Sequence, residues 1–236
     1  MFYFLLPTLL TYNYILVAAA VIPAIVLMVK VYRLDRLEKE SSALLWALVK
    51  AGIFSSLIAM VAERILSRIL GLAVNDAGIY RMLLYFVVVA FSEEGAKYCM
   101  LNRVSWRSPE FNCQYDGVVY AVFVSLGFAL WENISYVMHY GVSVAIIRAL
   151  TAIPGHTCFG VFMGVFYSLA KKLDNRGLVS TKFRMLALLV PALLHGAYDY
   201  IASIESGNAY FVAFIVILFV VSYWLVVKMS REDQYI

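Results

Sequence analysis

Residues 80–101 read YRMLLYFVVVAFSEEGAKYCML, an apolar stretch that carries the ionisable side chains of Glu93, Glu94 and Lys97. A helix of about 20 apolar residues is long enough to cross the hydrocarbon core of a bilayer. A charged side chain at mid-bilayer costs at least about 2.5–3.5 kcal/mol, so such groups normally face a bundle interior or a water-filled cavity. The stretch therefore predicts a membrane-spanning helix whose charged residues face other helices.

The composition extends this prediction to the whole chain. Hydrophobic residues make up 64% of the 236 residues and charged residues 14%, whereas soluble domains are about half apolar and about a quarter charged. We therefore predict an integral membrane protein in which residues 1–236 form a single domain. The fold class is an all-α, polytopic transmembrane helix bundle, because isolated strands cannot satisfy their backbone in lipid.

The placement of the charged residues argues against nucleic-acid binding, and the spacing of the cysteines argues against a cysteine-based framework or metal site. The net charge of +4 does not indicate nucleic-acid binding, because Lys and Arg fall in short segments between apolar runs, where they set the orientation of the chain in the bilayer. The cysteines Cys99, Cys113 and Cys158 lack the spacing of a disulfide framework or a thiolate metal site. We expect the lipid bilayer, and no nucleic acid, as a partner.

Seven apolar runs are each long enough to cross a bilayer as a helix. With seven spans, the basic connections at 30–40, 101–114 and 171–184 and the C-terminal tail all lie on one side. The positive-inside rule makes that side cytoplasmic and places the N-terminus outside. The runs are 11–31, 43–70, 79–101, 116–140, 143–170, 183–204 and 209–228, and the opposite side holds the connections at 71–78, 140–143 and 205–208.

The run at 143–170 is interrupted by Pro154 and Gly155. Because proline removes a backbone donor and bends a helix, the run is either one long, kinked helix from about Val142 or a short piece followed by a fresh start at Pro154. The second alternative raises the number of spans to eight. The depths of the ionisable groups along their spans favour the single kinked helix.

Four predicted spans deliver carboxylate or imidazole groups to comparable depths. At a rise of about 1.5 Å per residue, Glu93 and Glu94 lie about 12–15 Å from the cytoplasmic end of their span, and Glu132 lies about 24 Å from the start of its own. His195 lies about 18 Å in, and His156 about 20 Å from the outer end if its helix starts near Val142. These groups are predicted to line one polar chamber.

The chamber contains the donor types of a catalytic zinc site, which combines imidazole and carboxylate ligands with a water molecule. A glutamate beside such a water can act as general base. His195 and Asp199 are four residues apart and share a helix face, so Asp199 either binds the metal or orients His195. Glu93 and Lys97 also share a face, while Glu94 points about 100° away.

Two further ionisable residues and three glycines are not assigned to the metal site. Arg148 and Glu63 lie near span ends or beside other charges, and we exclude both from the site. Gly95, Gly160 and Gly164 are predicted to permit close helix packing.

Four segments stand out in motif order and spacing over about residues 75–205: EEGAK (93–97), YDGVVYAVFVSLGFALWENISY (115–136), PGHTCFGVFMG (154–164) and PALLHGAYD (191–199). Together they closely resemble the PrsW family of bacterial intramembrane proteases. That family is grouped with the CAAX prenyl endopeptidases and bacteriocin-immunity proteins.

The resemblance implies a multi-pass metalloprotease of the bacterial cell membrane that makes the first cut in a membrane-anchored anti-sigma factor. One of the paired glutamates then activates a water molecule, with Lys97 beside it. The wider group has His where this chain has Glu132, and Asn where it has Asp199, so the exact ligand set departs from that pattern. The implied divalent metal, zinc, has as its candidate ligands His156, His195, Glu132 and Asp199.

Two other functions fit buried carboxylates and histidines. A transporter of metal ions, other cations or protons also places such groups at mid-membrane, but the sequence shows no inverted repeat or paired broken helices. A non-catalytic membrane sensor could use the polar cluster to control a conformational change.

Overall fold

The computed structural model describes residues 2–204 and 208–236, and every regular element in these ranges is helical. The predicted all-α, polytopic bundle is confirmed. The helices are α1 (Phe2–Leu34), α2 (Ser42–Ala73), α3 (Ala77–Leu83), α4 (Ala90–Ser105), α5 (Asp116–Tyr140), α6 (Val142–Leu150), α7 (Ala152–Asn175), α8 (Thr181–Ala202) and α9 (Asn208–Arg231), and a π-helical segment (Leu84–Val89) joins α3 to α4.

Within the described residues, six helical stretches are long and apolar enough to cross a membrane, judged by length and composition. The seventh predicted span, at 79–101, is divided among α3, the π-helical segment and α4, but its helical backbone is continuous from residue 77 to residue 105. The six are Val17–Leu34, Ser42–Ala73, Asp116–Tyr140, Ser143–Asn175, Thr181–Ala202 and Ala209–Arg231.

The basic connections meet at one end of the bundle, as predicted. Ser41 donates to the Glu110 carboxylate through its backbone N–H at 2.7 Å and its hydroxyl at 2.8 Å. The C-terminal tail joins them, because the Tyr115 N–H donates to Asp233 Oδ1 at 2.8 Å. By the positive-inside rule this end is cytoplasmic. Of the opposite connections, the one predicted at 205–208 lies mostly outside the described residues.

Helix α5 is the central element, and every residue from Asp116 to Ala129 is buried. Glycines allow its neighbours to approach closely. A Cβ added at Gly52 of α2 would lie 2.1 Å from the Val124 carbonyl oxygen, and one at Gly164 of α7 would lie 2.4 Å from that of Gly117. The predicted packing role of Gly164 is therefore confirmed.

The predictions of close packing at the other two glycines, Gly160 and Gly95, have different outcomes. A Cβ at Gly160 would lie 2.8 Å from Ser125 Oγ, so its packing role is confirmed. A Cβ at Gly95 would meet nothing within 4 Å among the described residues, so that prediction is wrong.

The run at 143–170 is broken at Thr151 rather than at Pro154. Thr151 has φ −122° and ψ −69°, outside the helical region, and divides α6 from α7. Its hydroxyl donates to the Ile147 carbonyl at 2.8 Å, a local bond that competes with regular helix. Pro154 is the third residue of α7, where its missing N–H removes no helical bond. The predicted kink position is therefore wrong, and α6, at about 14 Å, is too short to add an eighth span.

Candidate active site

A cavity of about 400 Å³ lies among α2, the π-helical segment and helices α4 to α8. Glu132 lines it from α5, sixteen residues beyond Asp116 at the cytoplasmic end of that helix. At the helical rise this separation is about 24 Å, which places the cavity in the outer half of the bundle. Five predicted site residues line it: Glu93, Glu132, His156, His195 and Asp199.

Behind the cavity wall, the Lys97 ammonium group is fully buried. It donates to Glu94 Oε1 at 2.7 Å and to Glu93 Oε2 at 3.2 Å, and its Nζ lies 3.1 Å from His156 Nδ1. The two glutamates lie three and four residues before Lys97 on α4, so the helical repeat brings them to it. Lys97 Nζ also lies 4.0 Å from the centre of the Phe128 ring. One ammonium group thus joins three site residues.

His195 has a carboxylate oxygen near each of its ring nitrogens. Its Nδ1 lies 2.9 Å from Glu94 Oε1, and its Nε2 lies 3.4 Å from Asp199 Oδ2. The ring stacks on Phe159, with 4.7 Å between centroids and 19° between planes. An Nδ1–H that donates to Glu94 leaves the Nε2 lone pair beside Asp199; one ring N–H on a carboxylate and the other nitrogen unprotonated is the arrangement of a metal-binding histidine.

His156 connects Lys97 to the carboxylate of Glu132. Because an ammonium group can only donate, His156 Nδ1 accepts from Lys97, and Nε2–H then donates to Glu132 Oε2 at 2.9 Å. The His156 and His195 rings lie 5.5 Å apart, nearly perpendicular to one another. All seven residues predicted from the sequence therefore form one connected polar network.

Sequence reasoning missed Arg148 and Glu63. Arg148 Nη2 donates to Glu132 Oε2 at 2.8 Å, and its Nε donates to Asn133 Oδ1 at 2.8 Å. Asn133 in turn donates to the carbonyl oxygen of Ala20 at 2.9 Å, which ties the group to α1. Glu63 lines the cavity from α2. A signal was available for Arg148, because a lone arginine in an apolar stretch needs an acidic partner.

The donor set has the chemistry of a divalent metal site. Glu93, Glu94 and His156 each offer one ligand atom within 4.8 Å of the others, and carboxylate and imidazole donors suit zinc. The Lys97 ammonium group contacts these same three residues. It therefore already supplies positive charge there, and a metal ion at that point would displace it. Glu94 Oε2 is buried without a hydrogen-bond partner among the described residues.

Comparison with known proteins identifies the family. The model of the PrsW family intramembrane metalloproteases matches residues 40–226, which include the whole polar network. The chain belongs to the PrsW family. Protease PrsW of Clostridioides difficile (strain 630) is 31% identical over 222 residues, covering 92% of this chain and 89% of that protein. Protease PrsW of Bacillus subtilis (strain 168) is 31% identical over 196 residues, covering 83% and 86%. No solved structure matches the chain.

Membership of the PrsW family decides among the functional alternatives. The chain is a peptidase and a multi-pass protein of the bacterial membrane, so the transporter and sensor alternatives are set aside. Each of the four PrsW-like segments contributes to the polar network. Arg148 and Glu63 fall outside those segments, which is why motif comparison did not find them.

Proposed function

We propose that this PrsW family protease hydrolyses a peptide bond in a membrane-anchored anti-sigma factor, in the outer half of the bilayer, with Glu93 as general base. The observation that carries the proposal is the different placement of the two adjacent glutamates. Glu93 lines the cavity, whereas Glu94 is fully buried and engaged by Lys97 and His195. Only a carboxylate in the cavity can take a proton from a water molecule beside the substrate.

In the proposed reaction, water adds to the peptide carbonyl carbon while its proton passes to the Glu93 carboxylate. The C–N bond then breaks, and Glu93 returns the proton to the departing amine, so that the base ends in its starting state. Lys97 holds Glu93 in place through the 3.2 Å ion pair. Glu94 fixes the orientation of His195. Glu93, Lys97, Glu94 and His195 thereby each have a place in one reaction.

The proposed cofactor is zinc, with His156, His195, Glu132 and Asp199 as its candidate ligands. No three of them have ligand atoms within 4.8 Å of one another among the described residues, so their side chains would have to move together to hold the ion. The free lone pair of His156 is at Nδ1, which accepts from Lys97, because its Nε2–H donates to Glu132. When bound, zinc lowers the pKa of a coordinated water molecule to about 7 and polarises a carbonyl group. Metal content of the purified protein, compared with that of His195→Ala, tests this assignment.

The substrate is proposed to approach between α2 and the π-helical segment. A second cavity of about 350 Å³ lies there and shares Met60, Glu63 and Val89 with the first. Met60 is 51% exposed, so the route reaches the protein surface at bilayer depth. A substrate segment that enters here passes Glu63 before it reaches Glu93.

The test is cleavage of a purified single-span anti-sigma factor by the protease in lipid vesicles. We expect Glu93→Gln to lose about 100-fold or more of the cleavage rate, because general base catalysis contributes about 10²–10⁴-fold. Glu232→Gln, which alters an exposed carboxylate on the C-terminal tail, is the matched control and should cleave normally. Full activity in both Glu93→Gln and His195→Ala would overturn the proposal.

A further inference from the structure

A second cluster of carboxylates lies at the cytoplasmic end of the bundle. Asp35 and Glu40 belong to the connection between α1 and α2, and Asp116 is the first residue of α5. All three are buried, with 3%, 5% and 0% of their surface exposed. Each offers one ligand oxygen within 4.8 Å of the others. About 24 Å of α5 separates Asp116 from Glu132, so this cluster is distinct from the active site.

The carboxylate oxygens of this cluster are largely unpartnered. Both oxygens of Asp35, Oε1 of Glu40 and Oδ1 of Asp116 are buried without a hydrogen-bond partner among the described residues. Oδ2 of Asp233, on the adjacent C-terminal tail, is in the same state. Buried polar atoms are nearly always hydrogen-bonded, and isolated buried charges are strongly unfavourable. Several such oxygens at one point indicate a missing cationic partner.

Lys39, a basic side chain in the same connection, makes no hydrogen bond to these carboxylate oxygens. Lys39 donates to the backbone carbonyl oxygens of Tyr32 at 2.6 Å and Asp35 at 2.5 Å, and these bonds direct its ammonium group to the backbone. The active site is built differently, because there Lys97 neutralises the buried glutamates directly.

We propose that Asp35, Glu40 and Asp116 bind one hard divalent cation of the Mg²⁺ or Ca²⁺ class from the cytoplasm. Ligands that are all carboxylate oxygens select such ions over zinc, which takes nitrogen and sulfur donors readily. Asp116 has a free oxygen to offer because its Oδ2 alone accepts the backbone N–H groups of Asn112 and Cys113, at 3.0 and 2.6 Å. The ion joins the α1–α2 connection to the start of α5.

The test is thermal unfolding and ion binding of the full-length protein in detergent, after treatment with EDTA. Millimolar MgCl₂ or CaCl₂ should raise the melting temperature of the wild type by about 3 °C or more. Equilibrium dialysis with radioactive calcium should show one bound ion per chain. Asp35→Asn combined with Glu40→Gln should lose both the shift and the bound ion, while Glu232→Gln keeps them.

The sign of the effect in EDTA separates a cation site from a simple structural role. Removal of two unpartnered carboxylates relieves their repulsion, so the double variant should melt at a higher temperature than the wild type when both are free of metal. Should the double variant fail to fold, Glu40→Gln alone serves the same comparison. The proposal is overturned if the wild type binds no ion, or if the variant retains the wild-type shift.

Discussion

The buried ammonium group of Lys97 neutralises charge and also sets geometry. It contacts Glu93, Glu94 and His156, which come from two helices, α4 and α7. When one partner of a buried ion pair is removed, the other is left as an uncompensated charge, at a cost of about 3–5 kcal/mol. The stability of the bundle and the position of the proposed base therefore depend on the same side chain.

We predict that Lys97→Met destabilises the folded protein by about 3–5 kcal/mol, because it leaves Glu93 and Glu94 buried without a counter-charge. Addition of Glu94→Gln to this variant should restore part of the loss, since one of the two carboxylates is then neutral. Thermal unfolding in detergent, monitored by tryptophan fluorescence, measures both effects. A melting temperature of Lys97→Met equal to that of the wild type contradicts this account.

Arg148 contacts Glu132, a proposed metal ligand, and we predict that Arg148→Ala lowers the cleavage rate by about 10–100-fold, the usual cost of removing a group that orients such a ligand. Arg148→Lys should recover part of the rate, because it keeps the charge but loses the two-point contact with Glu132 and Asn133. The measurement is kcat and KM on the single-span substrate. Arg107→Ala, at an exposed cytoplasmic position, is the control.

The sequence was sufficient to predict which residues meet, but it did not predict every residue of the site. Intramembrane carboxylates and histidines are rare enough that depth and helical spacing assigned six of them, together with Lys97, to one chamber. Depth alone does not give direction around a helix, so the different placement of Glu93 and Glu94 required the structure. Arg148 was excluded because it lies near the end of a predicted span, which was assumed to place it far from the site. The helix break at Thr151 makes that assumption wrong.

At the scale of elements, α8 packs on the π-helical segment through Gly196, the residue after His195. A Cβ at this position would lie 2.6 Å from the Phe86 ring and 2.9 Å from Phe86 Cα. Since real Cβ contacts are not this short, a larger residue must move either α8 or the segment. The orientation of His195 is therefore coupled to the backbone of Leu84–Val89.

We predict that Gly196→Ala reduces proteolysis and destabilises the fold by about 1–3 kcal/mol, the usual cost of overpacking. Gly95→Ala is the matched control, because its new Cβ meets no described residue within 4 Å and alanine favours helix by about 0.5–1 kcal/mol. The melting temperatures of the two variants should therefore move in opposite directions, and only Gly196→Ala should lose cleavage rate. Equal behaviour of the pair would contradict the packing argument.

Element boundaries were predicted where composition changes and missed where it does not. Charged and polar connections delimit the spans, so apolar runs predicted them well. The π-helical segment LYFVVV is as apolar as the helix around it, and a change in hydrogen-bond spacing leaves no mark on composition. The break at Thr151 also lies inside an apolar run, and the interruption was instead predicted at Pro154.

At the scale of the whole molecule, sidedness follows from the clustering of basic connections. The C-terminal tail adds a feature that composition did not predict: the Gln114 N–H donates to the Gln234 carbonyl at 2.9 Å, and the Ile236 N–H donates to that of Asn112 at 2.8 Å. Backbone pairing of this kind depends little on side-chain type. The sequence therefore predicted only that the tail is a charged segment on the cytoplasmic side.

We predict that a cysteine at position 75 is labelled in intact cells by a membrane-impermeant maleimide, whereas a cysteine at position 178 is labelled only after permeabilisation. Asn75 and Leu178 are both exposed, in connections at opposite ends of the bundle. The background should carry Cys99→Ser, because Cys99 is exposed while Cys113 and Cys158 are buried. Labelling in the reverse order would invert the orientation and move the carboxylate cluster of Asp35 to the outside.

The π-helical segment Leu84–Val89 also sets how far α3 is rotated about the helix axis relative to α4. A π-helical turn accommodates one more residue than an α-helical turn, and each residue of an α-helix turns the chain by about 100°. Loss of one residue here would restore regular helix and rotate α3 against α4 by that amount, carrying Tyr85 away from the cavity it lines. The segment therefore tolerates substitution better than deletion, and a sequence alignment that treats it as ordinary helix will place α3 one residue out of register.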